Sequence, residues 1–127
     1  MPDADQIRAT VARYAEVFTA NDLDGYLALF AEDATLEDPV GAGVHQGKDA
    51  IRAFMTATRE MSPDIGLVVT GPVRVAGHEA AFPGEARPLF DDTRMAIPIV
   101  DTLRVDDDGL ITQLRAYWDF ADLRPAD

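Results

Sequence analysis

Hydrophobic residues recur with a helical period in the first part of the chain and with a strand period in the second. Ile7, Val11, Tyr14, Ala15 and Phe18 fall on one helical face, and Asp3 with Gln6 has the form of a capping box that would start it. Asn21-Asp22 ends this helix and can cap a second, short one carrying Leu23, Tyr26, Leu27 and Phe30. Thr35-Leu36-Glu37 is a short extended piece that runs into Asp38-Pro39, where proline disfavours helix at the residue before it. The pattern predicts a third helix from about Lys48 to Arg59, with Ile51, Phe54 and Met55 on one side.

The period then changes. Residues 65–75 are rich in β-branched side chains, and 80–89 make a weaker strand interrupted by Pro83, Gly84 and Pro88. Proline cannot donate to a sheet ladder, so this strand is expected at an edge or with bulges. Asp91-Asp92-Thr93 reads as a turn. Residues 95–105 and 110–120 are two long alternating strands, joined by Asp106-Asp107-Asp108-Gly109, whose Asp-Gly pair suits a hairpin. Helices followed by an antiparallel sheet predict an α+β domain, with a curved sheet wrapped around three helices to leave an apolar cone.

At 127 residues, without repeat or linker, the chain is expected to form one domain over 1–127. A net charge of −12 repels phosphate backbones and anionic headgroups, so neither nucleic acid nor a membrane is an expected partner. There is no cysteine, which excludes disulfides, thiolate catalysis and Cys-based metal sites. No uncharged run exceeds nine residues, and the first residues lack a positive flank, so a cytoplasmic protein without membrane insertion is expected. His45 and His78 lack metal-ligand spacing and are expected in surface or loop roles; no metal site is predicted. Ser62, the single serine, has no nucleophile-elbow context.

Candidate chemistry shows where a polar group takes an apolar position. Asp101 sits at period two among Ile97, Ile99, Leu103 and Val105, on the face that reads as the inner one. Left without partners there, it should protonate and become a hydrogen-bond donor; pairing with an arginine or exposure at a bulge is the alternative. Tyr14 lies on the apolar face of the first helix, where it is either a core residue or an inward-pointing phenol. Asp38 precedes a proline, as turn-forming aspartates do. Together one phenol, one neutral acid and one loop carboxylate could form a base with an oxyanion hole. Val17, Phe54, Phe82, Leu103, Leu114 and Trp118 are candidates for the lining of an apolar pocket, although each taken singly is more often plain core than ligand contact.

These residues carry a resemblance. Arg13-Tyr14, the stretch 29–41 ending Glu37-Asp38-Pro39-Val40-Gly41, residues 47–54, residues 98–104 around Asp101, and Arg115-Ala116-Tyr117-Trp118 resemble the ketosteroid isomerases of the NTF2-like, SnoaL-like superfamily. The resemblance implies an NTF2-like cone and a steroid Δ-isomerase without metal or organic cofactor. Asp38 would be the general base that moves a proton from C4 to C6 of a 3-oxo-Δ5-steroid. Tyr14 and protonated Asp101 would donate to the C3 oxygen, the situation for which this family is the standard illustration of a carboxylic acid kept neutral in an apolar site. It also implies a homodimer through the outer sheet face, to which Ile111, Gln113, Arg115 and Tyr117 are assigned by alternation. Met55 and Phe30 stand where relatives have tyrosines supporting the catalytic one, and Pro83-Gly84 and Pro88 depart from the pattern of a strand that walls the pocket. Two further functions stay open: a non-catalytic steroid- or polyketide-binding protein, and a hydrolase or dehydratase on the same fold. An arginine-bridged pair of aspartates is not evident, and neither histidine falls on an evidently inward face.

Overall fold

The computed structural model describes residues 2–127. Helix α1 (Ala4–Thr19) begins at Asp3, whose carboxylate accepts from the Gln6 N–H at 2.8 Å while the Gln6 side chain accepts from the Asp3 N–H at 2.8 Å. The predicted capping box is present, and Ile7, Val11, Tyr14 and Val17 form the buried stripe. Asp22 caps α2 (Leu23–Leu27), accepting from the Gly25 N–H at 2.9 Å. Phe30 was assigned to this helix by its spacing, but it opens strand β1 (Phe30–Glu37) and pairs with Ile111. It is fully buried, and the contact made across the molecule outweighs the local helical pattern. Strand β2 (Val44–Gln46) and helix α3 (Lys48–Met61) follow; α3 runs two residues past its predicted end and buries Ile51 and Met55.

The remaining strands are β3 (Ile65–Val69), β4 (Arg74–Ala76), β5 (Glu79–Phe90), β6 (Thr93–Val105), β7 (Ile111–Tyr117) and the two-residue β8 (Arg124–Pro125). The predicted strand 65–75 is therefore two, and a short 3₁₀ turn at Phe120–Asp122 takes the end of the predicted strand 110–120. The sheet order is β2-β1-β7-β6-β5-β3, with β4 also beside β5 and β8 beside β6. All pairs are antiparallel except β1 with β7. Helix α1 lies against β3 and α3 against β1 and β2, so this unclosed, curved sheet holds the helices in its concave side. That is the α+β cone the sequence predicts.

Strand β6 follows its pattern closely: Ile97, Ile99, Asp101, Leu103 and Val105 are buried, while Pro98, Val100 and Arg104 are exposed. Strand β5 does not behave as expected of an edge. It is continuous, with β6 on one side and β3 and β4 on the other. Pro83 is tolerated because its carbonyl, accepting from the Thr70 N–H at 3.0 Å, faces the gap where β3 has ended and β4 has not begun. Its missing donor faces the same gap. Pro88 falls where pairing with β6 lapses, between Ala86↔Ile97 and Leu89↔Arg94. Gly84 is required by close approach, since a Cβ there would lie 2.9 Å from the Val68 carbonyl of β3.

A register shift between Arg104 and Val105 sets Ile111 opposite Val105 and Gln113 opposite Arg104. The extra residue, Thr112, turns Ile111 into the core, where it is fully buried, so its assignment to the outer face is corrected. The outer face of this region carries Val100 and Tyr117, paired across β6 and β7 and 45% and 41% exposed.

Candidate active site

Three elements bring the candidate polar groups together. Tyr14 comes from the middle of α1 and Asp101 from the middle of β6, and both are buried, at 2% and 1% exposure. Asp38 follows β1 in a loop with a cis Asp38-Pro39 peptide, secured by the Val40 N–H donating to the Ala116 carbonyl at 2.8 Å. All three line one small recess of about 40 Å³, shared with Phe18, Leu67, Ala86, Ile99, Ala116 and Trp118. Phe18, Asp38, Ala86 and Trp118 also line a larger apolar cavity of about 280 Å³, which adds Phe54, Thr58, Pro88, Ile97 and a rim of Met61, Phe90 and Phe120. No lysine or arginine of the described residues lines either space. A cleft of about 360 Å³ between α1, α2 and α3 contains none of the three groups.

The pocket candidates divide by depth. Phe54 and Trp118 line the larger cavity, and Trp118 the recess as well. Val17 faces the cleft between the helices. Phe82 turns an edge to Tyr14 at 6.5 Å between ring centroids but lines neither space. Leu103 and Leu114 face each other across β6 and β7, deeper in the cone than Asp101, and are core. Alternation identifies the inner face of a strand but not how far a position lies from the open end, and that distance separates wall from core. Ala86, Pro88 and Phe90 of the proline-interrupted β5 do contribute to the cavity wall.

The electrostatics distinguish the two carboxyl groups. Burial, reinforced by the charge of Asp38, holds Asp101 well above the ordinary carboxylic range, and its Oδ1 is buried without a partner among the described residues. No arginine of the described residues pairs with it, and its burial favours the neutral form. Burial also raises Tyr14 far above the ordinary phenol value, with Tyr26, Asp101 and Asp38 adding to the effect, so it too is an un-ionised O–H. Asp38 is pushed upward by burial as well, and is less solvated than a turn aspartate. Two influences pull it back: the Trp118 indole Nε1–H donates to its Oδ1 at 2.6 Å, and His45 acts on it through charge. Asp38 is thus the group of the three whose ionised form is specifically stabilised.

Three roles are not legible in the sequence. Trp118 reads there as core or as an aromatic wall, and its bond to Asp38, spanning 80 residues, has no local signal. Tyr26 of α2 is 2% exposed and lies against Tyr14, ring centroids 5.6 Å apart, with its hydroxyl within interacting reach of the Tyr14 hydroxyl. Its signal was present, a phenol on the apolar side of a short helix, as for Tyr14. Met55 and Phe30 are buried and bring no hydroxyl; Phe30 packs on Tyr26 at 5.0 Å. His45 was expected at the surface, yet it is half-buried and stacked on Phe54 at 4.4 Å. Its register partner is Leu36, which fixes its face only once β1 and β2 are paired. His78, by contrast, pairs with the exposed Asp107 at 2.8 Å.

An ionisable carboxylate beside two neutral O–H donors, at the end of an apolar cavity, can move a proton while holding charge on an oxygen. The chain is also similar to known proteins. Residues 11–114 match the SnoaL-like domain family. The chain is 36% identical over 113 residues to a steroid Δ-isomerase of Nocardioides simplex, covering 89% of each chain. It is 26% identical over an alignment of 144 positions to the epoxide hydrolase LasB of Streptomyces lasalocidi, covering 96% of this chain and half of that protein. The solved structure of SalBIII, an epoxide hydrolase/cyclase-like enzyme of pyran ring formation in polyether salinomycin, superposes with a TM-score of 0.89 at 26% identity, over 99% of this chain and all of that one.

Proposed function

Because the chain belongs to the SnoaL-like family, whose relatives here are enzymes on one fold, we propose that it is a steroid Δ-isomerase converting 3-oxo-Δ5-steroids to 3-oxo-Δ4-steroids. The observation that carries this reading is the unpartnered, buried Asp101 beside Tyr14 in the recess that also holds Asp38. A neutral acid and a neutral phenol are matched to an oxygen that gains negative charge, and they have no cation to serve instead. The Asp38 carboxylate takes the C4 proton, and the electrons of that C–H bond form the C3–C4 double bond of a dienolate. The C3 oxygen takes the charge between Tyr14 and Asp101. Asp38 then returns the same proton to C6, the C4–C5 double bond forms and the carbonyl is restored, so nothing is consumed. The apolar cavity suits a rigid neutral skeleton, and its size approaches the roughly 300 Å³ at which small-molecule pockets begin.

The test follows the growth of Δ4-enone absorbance with purified wild type, Asp38→Asn and Tyr14→Phe. Asp38→Asn loses nearly all turnover while steroid affinity persists. Tyr14→Phe loses on the order of 10²–10³ in kcat, the usual cost of one oxyanion donor. Equal, small losses in both variants refute the assignment, and binding without turnover in wild type points to a steroid- or polyketide-binding protein.

A second reading is epoxide opening, favoured by two carboxyl groups in one recess and by the names of two relatives. Asp101 would donate to the epoxide oxygen and Asp38 would take a proton from water. The absence of a cation from the lining ranks it second; turnover of an apolar epoxide with no steroid turnover would reverse the order. The exposed pair Val100 and Tyr117 supports a homodimer through the outer sheet face.

A further inference from the structure

His45 lines neither cavity space, yet the sheet pairs it with Leu36, two residues before Asp38. Leu36 and His45 are antiparallel partners, and partners share a face. Leu36 is fully buried, so the imidazole is on the inner face of β2, and Asp38, two residues beyond Leu36, returns to that face. Diagonal neighbours in such a ladder have backbones about 7–8 Å apart and side chains closer than that. Phe54 covers the ring at 4.4 Å and itself lines the cavity, so His45 sits behind an aromatic wall. Its link to Asp38 is electrostatic.

We propose that His45 is a positioning residue that sets the strength of Asp38 as a base: a positive charge on its ring favours the Asp38 carboxylate, and without that charge Asp38 holds its proton to higher pH. The proposal rests on the reading of Asp38 as the base. Other charges near β2 are engaged elsewhere. Glu37 of β1 points to the outer face and pairs with Arg115 at 3.2 Å. On α3, Lys48 lies 3.8 Å from Glu32, Arg52 lies 3.3 Å from Asp24, and Asp49 is exposed. Asp38 is bonded to Trp118 and interacts through charge with His45, Tyr14, Tyr26 and Asp101, of which His45 alone can supply a positive charge.

The experiment uses the single tryptophan of the chain. The indole N–H of Trp118 is bonded to Asp38, so its ¹H–¹⁵N resonance follows Asp38 without substrate. It is titrated in wild type, Asp38→Asn, His45→Gln and His45→Lys, and the component missing from Asp38→Asn is that of Asp38. The expected result is a midpoint displaced to higher pH in His45→Gln and held at or below the wild-type midpoint in His45→Lys. An unchanged midpoint in His45→Gln overturns the proposal. Steroid turnover is measured alongside: His45→Gln should lose about three- to tenfold more at pH ~5 than at pH ~8. A uniform loss at every pH also overturns the proposal and leaves the isomerase reading intact. A moved midpoint with no wild-type turnover overturns the isomerase reading and leaves the coupling intact.

Discussion

Asp101 illustrates how a single residue can be costly to the fold and useful to the site. Its proton is retained in the folded protein because burial penalises the charge, whereas in the unfolded chain the carboxyl ionises at its ordinary value near 3.9. The native state therefore holds a proton that the unfolded state releases. The stability contribution is fully present below that ordinary value and is lost as pH rises towards the folded-state value, at about 1.4 kcal/mol per pH unit. Asp101→Asn carries no such proton. Its Tm should lie close to that of wild type near pH ~4 and exceed it by several °C at pH ~7, at roughly 3–5 °C per kcal/mol. Melting followed by circular dichroism at several pH values checks this, and a constant difference would mean that Asp101 is not kept neutral. Among residues, Asp101 was legible because four aliphatic neighbours at period two frame it. Asp38 was less so: its enclosure depends on Trp118 and on a β1–β7 pairing that no local pattern announces.

At the scale of elements, the molecule is held by joints between the helices and the sheet. Ser62, 1% exposed at the end of α3, donates to the Leu89 carbonyl at 2.9 Å and accepts from the Leu89 N–H at 3.2 Å. It thereby fixes the end of β5, with Pro88 and Phe90 on the cavity wall, to the helix that supplies Phe54 and Met61. Ser62→Ala removes both hydroxyl bonds to the half-buried Leu89 backbone, whose N–H keeps the Asp64 carbonyl at 3.0 Å, and should cost about 1 kcal/mol in a urea titration. The Leu89 amide should exchange faster in the same variant, and unchanged exchange would deny the joint. The lone serine had been set aside because it lacked a nucleophile's context, which overlooked its use as a clamp. The β5 prolines were misread for a related reason. Their rule concerns which side of a strand needs a donor, and that is known only when the neighbours and their gaps are in place.

For the whole molecule, the strong negative charge opposes both compaction and self-association. The outer face presents Val100 and Tyr117 to solvent, so apolar contact favours a pair of chains while repulsion between them works against it. Raising NaCl from about 20 to about 300 mM should therefore increase the dimer fraction in sedimentation velocity, since screening shortens with the Debye length. A salt-independent monomer would remove the outer face from consideration as an interface. The cone and its inner face were legible in the sequence because periodicity reports sidedness. The mouth of the cavity was not, because it is assembled from the far ends of α3 and β5 and the segment after β7, which meet only in three dimensions. The parallel pairing of β1 with β7 has a consequence for biosynthesis. Synthesis proceeds from the N-terminus, so a nascent chain carries Tyr14 and Asp38 long before β7, the strand against which β1 must close, and Asp101 only just before it. The base is thus made eighty residues before the indole that anchors it, and it waits for that partner until β7 has been synthesised and paired.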